Sequence, residues 1–442
     1  MSEKSGPGAM QISEGAIKVL SKSRGEPQWL LKIRLGAFGK FQALPLENSI
    51  AFRKYSDSGE VEWQKISLHG WKAQTGDKIP KSLEPAINSL GAGVLQLNGQ
   101  TAKSSLRKES GVEVMDWQTA VNDDESGAKA AIEKAAAMAE SKIANLAVAA
   151  FTGGFFVRVL KEAKIMEPIR IAAAATAPRA ASGELNTIDV GANASASVMI
   201  ERHSQIRGGA AAASAAYTAA TVGEGARLGI AQTQAHCPQM ASLSETKTIL
   251  AQNSRLESAS GHFCGGLSIA LNGAWLEGDG SSAQDSQMAS ACGRSRLRVS
   301  SDLFHVGRNT SGKVTSRGVF FGSSKGLFTG MIGIAPAAAG TTSYLSGHSL
   351  ILSRQASAAA IPALKIENNE VRATHSAAVS PIDENALFYL QARGISPHKA
   401  IEMAACGFLA PAAMQCPTPQ AGLRMRALAL LRMREMPVLR MA

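Results

Sequence analysis

The chain has 442 residues, 45% apolar and 18% charged, which excludes wholesale disorder and gives ample length for a buried core without disulfides. Such a length spans roughly two to four domains, or one large all-β body. Aromatics are only 5%, Gly reaches 42 and the formal net charge is +11, so the core needs closely packed small side chains, and an acidic partner is permitted but not identified.

Residues 1–150 read as an N-terminal region of helical and mixed α/β character. Met1–Met10 is polar, without the apolar h-region of a signal peptide, and no stretch reaches ~18 uninterrupted apolar residues. These features predict a soluble, cytoplasmic chain with no membrane partner. Over 26–44, Trp29, Leu30, Ile33, Ala37, Phe38, Phe41 and Leu44 recur at helical spacing, with Pro27 in the first turn and Pro45 at the end. Residues 46–95 are mixed. Residues 96–121 suggest short strands around Gly99 and Gly111. The stretch 128–149 predicts one helix, because Ala, Lys, Glu and Met dominate and neither Gly nor Pro interrupts it.

At Gly153-Gly154 the pattern becomes strand-like, and β-type runs recur over 151–380. They include Ala196–Ile200, Arg227–Ala231, Leu267–Leu271, Leu297–Val306, Val314–Phe321, Leu327–Ile334, Ser349–Ser353, Ala363–Glu367 and Val371–Val379. A sandwich, a barrel or a β-helix accommodates this spacing. The small, β-branched and aromatic-poor composition favours stacked coils. The Ala tract 209–220 runs against that expectation, since Ala prefers helix.

Residues 381–410 predict a helical hairpin. Asp383 caps the first helix; Ser396 and Pro397 open the second, whose apolar side carries Ile401, Ala405 and Phe408. The tail, 411–442, holds Arg424, Arg426, Arg432, Arg434 and Arg440 against Glu435 alone, hence +4. A short basic tail of this kind can bind an anionic surface or nucleic acid, but is more often frayed and solvated, which is the expectation here. The remaining positive excess is dispersed, so no nucleic-acid partner is expected.

Three stretches resemble the SufB/SufD family of iron–sulfur cluster assembly proteins. The first is Glu26-Pro27-Gln28-Trp29 to Leu35. The second runs from Gly153-Gly154-Phe155-Phe156-Val157-Arg158-Val159 to Glu167-Pro168-Ile169-Arg170-Ile171. The third passes from Ser349–Ser353 through Ile361–Glu367 and Thr374-His375-Ser376-Ala377-Ala378-Val379 to Asp383–Ile395. The resemblance covers most of 20–410 and is faint over 175–295. It implies a mainly β chain: a right-handed parallel β-helix core, an N-terminal α/β region and a C-terminal helical hairpin. For function it implies a non-catalytic scaffold subunit of a SUF-type complex. Such a subunit pairs with a SufB-like paralogue or a second copy of itself, and docks a SufC-like ATPase.

His375 matches the family histidine at the paralogue interface, where a nascent cluster is thought to sit. It is therefore the candidate interface residue and metal ligand, since neutral imidazole binds iron. Val371, Ala373, His375, Ala377 and Val379 share one face by period two, so a core position is the alternative. The SufB branch carries a cysteine just before the strand starting at Ser349, where this chain has Gly347, and a glutamate after the histidine, where this chain has Ser376. The chain thus resembles the SufD-type subunit, with no cluster held stably alone and a transient cluster at an interface. Leu387, Phe388, Leu390 and Ile401 are the ATPase-docking candidates. His305 resembles a structural family histidine near a coil corner.

Five cysteines (Cys237, Cys264, Cys292, Cys406, Cys416) form no Cys-x-x-Cys pair, which argues against a disulfide framework or structural zinc, and each reads as a buried small hydrophobe. Gly265-Gly266 and Gly278-Asp279-Gly280 lack the glycine–lysine pattern of a phosphate loop and read as turns. Two alternatives remain. One is a carbohydrate-active β-helix enzyme, whose acids over 265–345 would be Glu277, Asp279, Asp285 and Asp302. The other is a structural paralogue that never touches iron.

Overall fold

The computed structural model describes residues 10–45, 52, 54–56, 67–68, 93–105, 111–177, 181–206 and 211–434. Most of the stretch 46–95, and Arg440 of the tail, lie outside the described residues.

Near the N-terminus, Ser13 caps helix α1 (Glu14–Ser23) by accepting the Ala16 N–H. Helix α2 (Gln28–Ala43) follows Pro27, as its apolar spacing predicts. Arg34 on α2 is fully buried; it donates to both carboxylate oxygens of Glu26 and, through Nη1, to the Ala149 carbonyl. Strands Gly93–Leu97, Gln100–Ser105 and Val112–Asp116 match the short strands expected there. Asp116 then caps a short helix α3 (Trp117–Asp123), which the sequence reading assigned to strand. The single helix expected over 128–149 is two, α4 (Glu125–Met138) and α5 (Lys142–Ala150). The chain extends at Ala139, and Ser141 starts α5 by accepting the Ala144 N–H.

Sixteen strands from Gly153 to Pro381 alternate between two parallel sheets and wind a β-solenoid of about eight turns. Strands two apart in sequence pair in register, so equivalent side chains stack from coil to coil. One ladder shows what this does: Val198, Ile230, Ser258, Asp285, Val314, Leu345 and His375 occupy the same position in successive coils. Between the sheets lies an apolar layer that includes Val157, Ile188, Leu228, Leu256, Leu303, Ile332 and Leu345. Beside it runs a polar layer. There Arg202 pairs with Glu184 at 2.8 Å and with Gln232 at 3.0 Å. Further along, Asp285 accepts from Ser258, Ser301 and Gln287.

The Ala tract is strand Ala212–Val222, contrary to its helical propensity. It pairs on both sides, with Ala181–Val190 and Met240–Leu250, and those ladders outweigh the preference of Ala for helix. Strands Ala181–Val190, Met240–Leu250, Arg255–Cys264 and Ser282–Ala291 are likewise not expected from the sequence; in the last, Ser, Ala and Gln fill most positions.

Helices cover the outer face of each sheet. Buried α5 packs with Leu185 and Tyr217 of the eleven-stranded sheet. The outer face of the ten-stranded sheet, through Met199, Ala259, Phe263 and Met288, is covered by three C-terminal helices. These are α6 (Glu384–Ala392), α7 (Pro397–Ala413) and α8 (Pro419–Arg434). The third helix corrects the expected frayed tail. Its Met425, Leu428, Ala429 and Met433 are buried, and Arg424 bonds Glu201 at 3.2 Å. Spacing between the arginines carries the apolar face: Ala421, Met425, Leu428 and Met433 lie on one side of the helix.

Candidate functional site

The solenoid ends on strands Ser357–Ile366 and Arg372–Pro381, and among the described residues each is the last of its sheet, paired on one side only. Strand Arg372–Pro381 belongs to an exposed coil, not to a covered core. His375 continues the inward ladder above buried Leu345, yet is itself exposed, because no further coil stacks on it. Leu364 and Ile366 continue the buried Ile332 and Ile334 ladders in the same way and are 37% and 43% exposed; Val379 is 43% exposed. The expected one-face set is thus real, and its face is the uncovered interior of the last coil. Edge strands with free backbone groups and exposed inward side chains form a surface suited to pairing.

The outer face of the same strands carries a polar cluster that the sequence reading missed. Ser376 bonds the Tyr344 hydroxyl at 2.9 Å and His348 Nε2 at 3.2 Å. Burial, then the Arg317 charge, lowers the pKa of His348 below its ordinary value. The signal was the alternation Tyr344, Ser346, His348 on one strand face. Ser376 is therefore tied to neighbouring hydroxyl and imidazole groups. The strand before it runs Thr342–Ile351, longer than the start at Ser349 expected from sequence. Gly347 lies within that strand, and a Cβ there would come 3.3 Å from the Ala360 Cβ across the coil. Gly347 offers no thiolate, and the facing Ala360 leaves little depth for one.

Among the described residues, no three His, Cys, Asp or Glu side chains gather as a metal-binding group. Cys237, Cys292, Cys406 and Cys416 are half-buried. Cys416 packs with its Sγ 3.6 Å from Met425 Sδ, and burial pushes its pKa up to about 11. His305 is buried with Nδ1 2.8 Å from Thr310 Oγ1 and Nε2 3.0 Å from Ser343 Oγ, so both ring nitrogens serve a coil corner. Three of the four acids named for an enzyme reading, Asp279, Asp285 and Asp302, are engaged in structure, and Glu277 is exposed. Asp285 is buried, which raises its pKa despite four hydrogen bonds. Asp302 accepts the Met331 N–H and Asp279 the Arg308 N–H.

The four docking candidates divide. Leu387 and Ile401 are buried in the chain's own core at 2% and 4% exposure, and Leu390 packs partly against it. They fasten the helices to the sheet and are not free to anchor a partner. Phe388 is 74% exposed. Its neighbour Tyr389, not among the docking candidates, is 56% exposed and lies 4.5 Å under the Arg393 guanidinium.

The pattern of the SufBD core domain of the SUF system for FeS cluster assembly matches residues 172–408. An iron–sulfur cluster assembly SufBD family protein of Staphylococcus haemolyticus (strain JCSC1435) is 23% identical over 433 residues, covering 92% of this chain and 90% of its own. A protein of the same description from Staphylococcus epidermidis (strain ATCC 12228) is 23% identical over 432 residues, with the same coverage. One from Staphylococcus aureus (strain USA300) is 22% identical over 433 residues, again with that coverage.

Proposed function

The chain belongs to the SufBD family of the SUF system for iron–sulfur cluster assembly, and from that premise we propose that it is a non-catalytic, SufD-type scaffold subunit. It pairs with a SufB-like paralogue through the open end of the solenoid and docks a SufC-like ATPase through its C-terminal helices. One observation carries this reading: the last coil leaves Leu364, Ile366, His375 and Val379 uncovered on an interior face that every earlier coil buries under its successor. A paralogue of the same fold presents a matching face, so pairing buries the apolar side chains and completes the edge strands. For the ATPase, exposed Phe388 and Tyr389 on α6 are the free apolar contacts.

The cluster is cargo in this reading. His375 projects from the pairing surface and supplies one imidazole, while the thiolate comes from the partner, since this chain has Gly347 where the cluster-accepting branch has its cysteine. Pairing without contact to iron is a second reading, favoured by Ser376, whose hydroxyl is engaged with Tyr344 and His348. Co-expression with a Cys-bearing SufB-type paralogue and a SufC-type ATPase tests both. A stable three-component complex is expected, and failure to retain either partner refutes the scaffold role. A His375→Ala complex that assembles fully but loses cluster yield assigns the imidazole to the cluster; unchanged yield selects pairing alone.

A further inference from the structure

Two arginines at the outer face of the ten-stranded sheet meet acids of that same face: Arg424 of α8 lies 3.2 Å from Glu201, and Arg255 2.6 Å from Glu257. The last three strands of the sheet offer no such counter-charge. Ser311–Phe320, Thr342–Ile351 and Arg372–Pro381 contain neither Asp nor Glu. Lys313, Arg317, His348 and Arg372 stand on their outer face: Arg317 is in register with outward Met288, His348 with Arg317, and Arg372 with Thr342. Lys313 and Arg372 are exposed, and among the described residues neither they nor Arg317 forms an ion pair. Arg317 is held in place by packing: its guanidinium lies 4.9 Å from the centre of the Phe408 ring on α7, and its Nε is buried without a hydrogen-bond partner among the described residues. Burial lowers the pKa of Arg317 below its ordinary value, a cost that a neighbouring anion relieves. Beside it, Ser376 links the Tyr344 hydroxyl to His348 Nε2. Whichever way those two bonds run, one of the three groups keeps a free donor.

We propose that this face docks an acidic segment of a protein partner, one carboxylate of which accepts from the Arg317 guanidinium. Lys313 and Arg317 are four residues apart on one strand, roughly 13 Å at the usual rise, which matches carboxylates four residues apart on an extended chain. Guanidinium–carboxylate pairing is bidentate and directional, while exposed Lys313 and Arg372 add longer-range attraction. A small free anion fits less well, because exposed Arg372 and 38%-exposed Tyr344 leave the face too open to enclose one. The surface is distinct from the uncovered interior of the last coil and from Phe388 and Tyr389 of α6, and it depends on neither contact.

Fluorescence anisotropy with the full chain and a labelled peptide of alternating Glu and Thr tests the proposal. Saturable binding that weakens with salt is expected, with no binding of the same peptide carrying Gln in place of Glu. Lys313→Glu and Arg317→Gln are each expected to weaken peptide binding by ~10-fold. Lys313 is exposed, so the thermal midpoint of its variant is expected to be unchanged. Lys32→Glu, an equal change of charge at an exposed position of α2, is expected to leave the peptide affinity unaltered. Absence of peptide binding, affinity unaltered in Lys313→Glu, equal losses in Lys32→Glu and Lys313→Glu, or tighter binding of single-stranded DNA of the same charge overturns the proposal.

Discussion

Gly340 adopts a left-handed conformation one coil above Asn309, itself left-handed, and the Asn309 side-chain oxygen occupies the space that a Cβ on Gly340 would need. The relation repeats along the same corner: Gly225 sits over Asn193 and Gly280 over Asn253. Each corner amide then bonds the next coil, Asn309 N–H to the Ala339 carbonyl and Gly340 N–H to the Glu370 carbonyl, both at 2.8 Å. Gly340→Ala combines left-handed strain with a steric clash and is expected to cost about 1–3 kcal/mol. Thermal unfolding checks this against Gly407→Ala, a helical position with open space around it, expected to stabilise by roughly 0.5–1 kcal/mol.

Helix α8 is part of the folded core. Ending the chain after Thr418 uncovers Phe263 and Met288, which now pack in one cluster with Met425 and Met433. The truncated chain is expected to melt at lower temperature and to bind a hydrophobic dye, whereas removal of a solvated tail would leave both readings unchanged. Arg424→Ala removes a half-buried pair with Glu201 and is expected to cost about 1 kcal/mol.

Acid should destabilise the solenoid through buried imidazoles. Burial lowers the pKa of His262 and His305 to about 4 each; burial, followed by nearby positive groups, lowers that of His236 to about 3. Their folded values lie below the unfolded value of 6.5, so the unfolded chain binds more protons below that pH. The contribution is intact above pH 6.5 and fades as pH falls toward the folded values, by roughly 2 kcal/mol per imidazole at pH 5. Asp285 works the other way, since its raised value favours the folded state as acid is added. With three imidazoles against one carboxyl, the thermal midpoint is expected to fall between pH 7.5 and pH 5. A flat profile would contradict neutral, buried histidines.

Adjacent residues on α6 should separate stability from docking. Leu387→Ala opens a cavity in the chain's own core and is expected to cost 2–5 kcal/mol, as estimated for buried leucine truncations. Phe388→Ala removes an exposed side chain, leaving the melting temperature unchanged while weakening capture of a SufC-type ATPase. Calorimetry and a pull-down on the same two proteins read the difference.

The coil architecture was legible where strands carried β-branched or large apolar residues, as over Leu297–Val306 and Leu327–Ile334. It was hidden where the interior is polar, as in strand Ser282–Ala291. There Asp285 and Gln287 face inward and are satisfied by Ser258, Ser301 and His262 from other strands, contacts invisible to local pattern. The corner alternation of Asn and Gly every 27–32 residues, from Asn193 to Gly340, was a readable signal of the repeat. At the site, His375 and its face were legible by period two. Its exposure was not, because that depends on the coil count ending there. Leu387 and Phe388 are equally apolar, and only packing decides which one turns outward.

Pairing through the open end is tested most directly by charging that face. Val379→Asp with Leu364→Arg places two charges among exposed side chains of the last coil. Co-expressed with a Cys-bearing SufB-type paralogue and examined by analytical ultracentrifugation, the unaltered chain is predicted to sediment as a stable pair. The doubly substituted chain is predicted to stay folded, with the same melting temperature, and to sediment alone. A substituted chain that pairs as tightly as the original would contradict the open solenoid end as the interface.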